Sequence, residues 1–466
     1  MKRRLREHFK DALPTAFLLL AVLLGGASGA RAGSLANGLL QALSLLVILY
    51  CLWAGRKANL PGDGKPLVWL VSLFIGLVLL SLIPLPPGVW QQFPGRERAA
   101  AGLALIGMPG QALPQSLAPQ STLASLTWLL PPVAAFLLVL EGSSKARKLL
   151  VGGILAAGIV SVALGVAQLV SGPHALRPYV ITNPGRPVGF FANANHFGTL
   201  LLCALPFSGY IAARAVRPAS KAKKASGTAL AVSTALFLII GIVILRSVAG
   251  YGLLLVTLAA TFLIYRRAAV GMLSRAWVAG VAALFLVFVA LASTGPLQEQ
   301  AITGKLSDQR TSRKVMAATS VEAIKDTFPS GTGLGSFPQV YRTYEDQNAV
   351  GTELVNHAHN DYLEFALELG LAGVVLIIGF ILWWGRQTIR AWRASFEGAD
   401  LGRAGSVVVL VVLLHSSVDY PIRTSAIAAL FAVGCALMIP GSRAARRTTK
   451  TNPANEATDL RHLEAD

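Results

Sequence analysis

The chain has 466 residues, 54% of them hydrophobic and 14% charged, with a mean hydropathy of +0.59. That balance excludes a soluble multi-domain protein. The formal net charge of +19 does not indicate a nucleic-acid partner either, because the basic residues come in short clusters between apolar runs and not as one patch, as membrane orientation would have them.

Repeated apolar runs of roughly 17–22 residues, each long enough to cross about 30 Å of hydrocarbon as a helix, predict an all-α polytopic membrane protein with about twelve spans. The basic, then apolar, N-terminal stretch lacks a convincing cleavage site and is expected to stay as the first span. Spans are expected at 13–30, 35–53 and 66–85, with Arg56, Lys57 and Lys65 between the second and third. A Pro-, Gly- and Gln-containing loop over 86–123, weakly amphipathic in its middle, follows on the outer side. Spans at 124–140 and 149–170 lead to an outer segment, 171–196, and then to spans at 197–213, 228–245, 249–265 and 276–294. The one long outer loop, 295–369, precedes the last three spans, 371–385, 404–418 and 424–440. The expected organisation is helices one to nine over 1–294, a loop with short helices and the candidate catalytic motif over 295–370, helices ten to twelve over 371–442, and a disordered tail over 443–466. Most of the 41 Lys and Arg then fall on one side, which the positive-inside rule makes the cytoplasm, and both termini are expected there. Cys51, Cys203 and Cys435 lie inside apolar runs and make neither a disulfide framework nor a zinc spacing.

Chemistry on the outer side needs a donor that is already activated, since the chain has no Walker-type phosphate loop and ATP is not found there; a lipid-linked pyrophosphate fits. Arg186, Arg246, Arg313 and Arg423 stand isolated at the mouths of helices. A guanidinium at that boundary needs a partner, and phosphate oxygens match its fork. Lipid headgroups, or ion pairs with Asp419 and the loop carboxylates, are the alternative partners. Gly185 to Phe191, followed by Asn193, Asn195 and His196, reads as a shaped loop in which Asn193 or Asn195 can cap the next helix. A helix is expected from Arg313 to Lys325, ended by a flexible Gly-rich turn over Pro329 to Phe337 that reverses the chain or, less commonly, cradles phosphate. Tyr341 and Tyr344 could stack on sugar or pack the loop. His357-Ala358-His359-Asn360 is the strongest local signal: Asn360 or Asp361 can cap a short amphipathic helix, Gly370 and Gly373 permit a bend into the next span, and the cap holds the His359 imidazole at the water–lipid boundary. A neutral imidazole there can take a proton from a sugar hydroxyl; HxH also suits a metal, for which Asp361, Glu364 and Glu368 are the only nearby further ligands.

HAHNDYLEFALELGLAG, preceded by SRKVMAATSVEAIKDTFPSGTGLGSF and followed by SSVDYPIRT, resembles the O-antigen ligase and Wzy-type polymerase superfamily, as do GRPVGFFANANHF and the Arg246-Ser247 connection. The resemblance implies a metal-independent, inverting glycosyltransferase with no cofactor, facing the periplasm from the bacterial inner membrane. It implies an undecaprenyl-pyrophosphate-linked glycan as donor, with membrane lipids around it. The acceptor differs within the family (lipid A–core, a second lipid-linked repeat or a protein hydroxyl), and twelve spans with one compact outer loop and no added soluble domain look like the ligase branch, which uses lipid A–core. His359 matches the family's histidine before Asn, which activates the acceptor, and Arg186 and Arg246 match pyrophosphate-holding arginines. Arg313 matches a further loop arginine, although Ala317 stands where a tryptophan is often found a turn later. His357, Asn360, Asn195, Tyr341, Asp419 and Arg423 complete the expected site as supporting or substrate-binding groups. A Wzy-type O-antigen or exopolysaccharide polymerase is the alternative within the family, and a membrane transporter the alternative of another class.

Overall fold

The computed structural model describes residues 2–28, 30–53, 62–217, 220–270, 280, 313–346, 354–396 and 398–440. In chain order the helices are α1 (Lys2–Leu24), α2 (Ala30–Trp53), α3 (Lys65–Leu80), α4 (Pro87–Trp90), α5 (Glu97–Leu105), α6 (Pro119–Thr127), α7 (Leu130–Glu141), α8 (Ser144–Val170), α9 (Ala194–Ala215), α10 (Lys221–Ile244) and α11 (Val248–Val270). They continue with α12 (Arg313–Thr327), α13 (Phe337–Tyr344), α14 (Asp361–Arg393), α15 (Ala399–His415) and α16 (Ser425–Met438). Among the described residues the only sheet is a two-residue hairpin, β1 (Pro84–Leu85) against β2 (Leu113–Pro114).

The protein is an all-α polytopic membrane protein. Eight of its described helical stretches are long and apolar enough to cross a bilayer. α1, α15 and α16 coincide with three more of the expected spans but are more charged or shorter. The span expected at 276–294, the 295–312 part of the long loop and the tail 443–466 lie outside the described residues. Starts are set by caps: Ser143 accepts from the Ala146 amide and Ser220 from the Lys223 amide, each satisfying a donor the helix cannot. The fourth expected span is two helices, α6 and α7, because Pro131 and Pro132 supply no amide to the preceding turn.

α9 is the axis of the bundle, with α8, α10, α11 and α15 around it; 89% of its span is buried, while Leu46, Trp69, Ile240 and Leu382 on the peripheral helices are exposed where lipid would lie. Without a hydrophobic drive between helices in lipid, close backbone approach supplies the packing. At Gly405, on α15, an added Cβ would sit 2.6 Å from the Gly434 carbonyl oxygen of α16, so the two helices meet only because no side chain is there.

The elements alternate in direction, so polar features sort to two ends. At one end Arg217 and Arg403 pair with Asp400, Arg147 caps the Ile439 carbonyl (3.1 Å) and Lys145 lies 3.6 Å from Asp11. At the other end lie the histidine motif, the 171–193 segment and the turn between α10 and α11. The loop over 86–123 is more ordered than its weak amphipathicity predicts, because it packs on the long loop: the Leu117 amide donates to the Thr332 carbonyl (2.8 Å) and the Thr122 hydroxyl to that of Leu334 (2.7 Å).

Candidate active site

Asn360, not Asp361, is the N-cap of α14; its side-chain oxygen accepts from the Tyr362 and Leu363 amides (3.0 and 3.1 Å) while its Nδ2 donates to the Ser417 carbonyl (2.9 Å). Asp361 is tied to the same connection, its amide donating to the Ser416 carbonyl (2.9 Å) and its carboxylate accepting from the Ser416 hydroxyl (2.7 Å). The histidine loop is thereby clamped to the segment between α15 and α16. Under that clamp His359 takes a φ of +50°, in the left-handed region that costs a non-glycine residue energy. Its Nδ1 lies 3.2 Å from Oδ1 of the fully buried Asp419, and its side chain is 25% exposed.

Asp419 is the hub. Its Oδ2 accepts from Asn195 Nδ2 (2.7 Å) and lies 3.8 Å from Arg313, and its Oδ1 also accepts from the Tyr420 amide (3.0 Å). Burial alone would raise this carboxyl, but His359, Arg313 and His196 hold it well below the usual carboxylate range. Asn195 is held in turn by the Ser247 hydroxyl (3.1 Å) on the connection between α10 and α11. Asn193 is the N-cap of α9, which frees Asn195 for this contact.

The arginines arrive on three separate elements. Arg186 donates to the Leu245 carbonyl (2.7 Å) and so rests on the turn that carries Arg246. Burial, and after it the neighbouring Arg313, lower the Arg186 guanidinium from its ordinary value, with Asp419 opposing. Arg246 is exposed, has a φ of +50°, and its guanidinium has no hydrogen-bond or ion-pair partner among the described residues. Only three described non-glycine residues have positive φ, Leu176, Arg246 and His359, and two of them are residues singled out from sequence for chemistry. Arg313 keeps 42% of its side chain exposed beside Asp419.

Arg423 differs from the other three. It is surrounded by Asp361 (3.5 Å), Glu364 (3.3 Å) and Glu368 (3.0 Å), so it takes the ion-pair alternative. Burial would lower it, but these carboxylates hold it above its ordinary value. Glu364 also accepts from His357 (2.9 Å) and the Ala358 amide (3.1 Å), which makes His357 a brace of its own loop. Most amides of the Gly-rich turn are already used within the protein and are not free for phosphate. The Thr332 and Gly333 amides point at the Glu368 carbonyl (3.2 and 2.8 Å), and those of Gly335 and Phe337 at its carboxylate (2.8 and 3.4 Å). Tyr341 is 2% exposed in a small core with Met316, Phe337 and Leu367, so it packs the loop and does not face the cluster.

Several contributors escaped the sequence reading. The Tyr420 ring lies among His357 (4.3 Å between centroids), His359 (4.8 Å) and His196 (5.0 Å), and burial pushes its hydroxyl up to about 12. The Thr199 hydroxyl donates to the Asn195 carbonyl (3.0 Å) and so accepts from His415 Nδ1 (2.8 Å). Gln168 fixes the 171–193 segment: its carbonyl accepts from the Val188 and Gly189 amides (2.9 and 3.0 Å), and its Nε2 donates to the carbonyls of Leu176 and Gly189 (3.0 and 2.9 Å). Arg177 donates to the carbonyls of Asn183 (3.1 Å) and Arg186 (2.6 Å). Gln168 had a readable signal, being a lone amide inside an apolar span, where polar groups mark sites. Among the described residues no three His, Cys, Asp or Glu side chains are arranged to hold a metal ion.

Together, fold and cluster describe a polytopic membrane protein with an imidazole, a buried carboxylate and exposed guanidinium groups converging at one end of the bundle. Residues 233–378 match the family model described as O-antigen ligase, which supports the resemblance to the O-antigen ligase and Wzy-type superfamily. The match contains Arg246, Arg313 and the His357–Asn360 motif; Arg186, Asn195, Asp419 and Arg423 lie outside it and are joined to it by the contacts above. No curated protein matches the chain.

Proposed function

We propose that this protein moves a glycan from undecaprenyl pyrophosphate to lipid A–core on the periplasmic face of the inner membrane, by an inverting, metal-independent transfer. The observation that carries the reading is the shared carboxylate of Asp419, which touches His359 on one oxygen and approaches Arg313 on the other, with Arg186 resting on the turn of Arg246.

With Asp419 facing Nδ1, the His359 tautomer that carries its proton there leaves Nε2 as the free base. The acceptor hydroxyl gives its proton to Nε2 as its oxygen attacks the anomeric carbon of the donor sugar. The carbon–oxygen bond to phosphate breaks, and its electron pair leaves with the pyrophosphate. The buried carboxylate stabilises the imidazolium that forms, as in other histidine–carboxylate pairs. Arg186, Arg246 and Arg313 face the charge growing on the leaving group, where a preorganised guanidinium helps the transition state more than the ground state. Arg423, enclosed by three carboxylates, takes no part in this step and holds the histidine loop in place.

The test is complementation of a strain lacking the gene, with the surface glycan as the readout. His359→Ala is expected to insert normally and to lose roughly 10²–10⁴-fold in transfer, and activity above a few per cent would require another base. Arg246→Lys keeps the charge but loses the fork, so near-normal transfer would assign Arg246 to lipid headgroups. In the deletion strain, finished polymer left on its carrier indicates a ligase, whereas single repeats capped onto core indicate a polymerase.

A further inference from the structure

Between α3 and α14, at the end of the bundle opposite the histidines, lies a groove of about 750 Å³. Its walls are Leu70 and Leu73 on one helix and Leu382 and Trp383 on the other, with Trp69 and Arg386 at the mouth. One end is closed where the helices meet: a Cβ on Gly379 would lie 3.0 Å from a Leu70 methyl. The other end is closed by the turn at Asp63, whose carbonyl accepts from Trp383 Nε1 (3.0 Å) and Gln387 Nε2 (2.7 Å) and whose carboxylate pairs with Arg390. The side toward the bilayer is open, with Trp69 74%, Leu73 52% and Leu382 69% exposed.

Among the described residues the polar groups of this groove already have partners, apart from the Trp69 indole N–H and the Arg386 guanidinium. Arg386 is exposed and its guanidinium has no hydrogen-bond or ion-pair partner among the described residues, although Arg390, one turn further on, has its carboxylate. The segment from Ala54 to Pro61 contains no acidic residue that could supply one. A guanidinium with no partner among the described residues, lining with two tryptophans the mouth of an apolar groove that opens sideways, has the chemistry of a lipid headgroup site.

We infer that this groove holds one anionic phospholipid, its acyl chain lying along Leu70, Leu73 and Leu382 and its phosphodiester on the Arg386 fork. Charge complementarity selects the anionic lipid over a zwitterionic one, because this end of the bundle also carries Lys65, Arg390 and Arg393 and offers one carboxylate, already paired, at the groove. The site is far from the histidine cluster and does not depend on the proposed reaction.

The experiment uses the full chain, reconstituted in nanodiscs of equal phosphatidylglycerol and phosphatidylcholine, released into mild detergent and weighed by native mass spectrometry. The wild type is expected to keep one phosphatidylglycerol in preference to phosphatidylcholine. Arg386→Gln, an exposed position whose change should leave the fold intact, should lower that retention roughly five- to ten-fold, and Arg386→Lys should restore part of it. Millimolar inorganic phosphate should not displace the lipid, because the groove holds the chain as well as the headgroup. Equal retention by wild type and Arg386→Gln, equal retention of the two lipids, or release by phosphate alone would each overturn the assignment.

Discussion

His359 and Arg246 share a backbone condition as well as a place in the site. Both hold left-handed φ angles that a side chain disfavours, at a cost of order 1–3 kcal/mol each, and such strain persists only where neighbouring contacts over-determine it. For His359 those contacts are the Asn360 cap and the ties to Ser416 and Ser417. In the proposed reaction Asp419, 3.2 Å from Nδ1, leaves Nε2 of His359 as the free nitrogen. Its depressed carboxyl has a consequence for stability. A group whose folded value lies below its unfolded one stabilises the fold above the unfolded value, near pH 4, and loses that contribution as pH falls through the folded value. Asp419→Asn should therefore be less heat-stable than wild type at pH 7, and the gap should close as pH falls below about 4. Thermal unfolding in detergent across that range is the measurement, and a gap that stays open in acid would mean that the ionised Asp419 carboxylate is not what stabilises the fold.

At the scale of elements, the histidine motif is positioned by a bend as much as by a cap. Gly370, with φ +58°, breaks α14 between its amphipathic first turns and its apolar span. The space around it is filled: an added Cβ would lie 2.0 Å from the Pro329 carbonyl oxygen, to which the Leu371 amide donates at 3.0 Å. Gly370→Ala should destabilise the protein by about 1–3 kcal/mol from backbone strain alone, and more from the clash. The damage should spread to the Gly-rich turn, whose amides bond to Glu368, and appear as faster proteolysis between α12 and α13. A wild-type melting temperature and cleavage rate would show that the bend is slack. Tyr341 illustrates the limits of element-level reading: helical spacing and an aromatic ring fit sugar stacking and core packing equally, and only burial distinguishes them.

For the whole molecule, the alternation of helices sends the candidate site and the basic clusters to opposite ends, which is the arrangement the positive-inside rule expects of a periplasm-facing site. The three native cysteines are buried, so introduced ones can be read against a low background. Ser417→Cys and Gly107→Cys are expected to react with a membrane-impermeant maleimide from the periplasmic side, and Lys223→Cys only after the membrane is opened. Labelling of position 223 in intact cells would invert the orientation and remove the site from the compartment of its proposed acceptor. The same scale separates Arg186, Arg246 and Arg313 from Arg423. A guanidinium facing three carboxylates has its charge already answered, whereas Arg246 has no such answer among the described residues.

The amino-acid sequence determined the class of fold and the position of the histidine motif on it. Apolar length, basic clusters and an Asn before a helix act locally, through the bilayer's thickness and the unpaired amides of a first turn, so they can be read along the chain. It also marked Arg186, Arg246 and Arg313, because a guanidinium at the edge of an apolar run needs a partner wherever the chain later goes. The tertiary structure alone decided which partner each charge has. Asp419 reaches His359 across 60 residues and Asn195 across 224, Glu368 captures the Gly-rich turn, and Tyr420 settles among three imidazoles. Those pairings depend on how helices pack around α9, and in lipid that packing is set by shape and close backbone approach, neither of which leaves a periodic mark in the sequence.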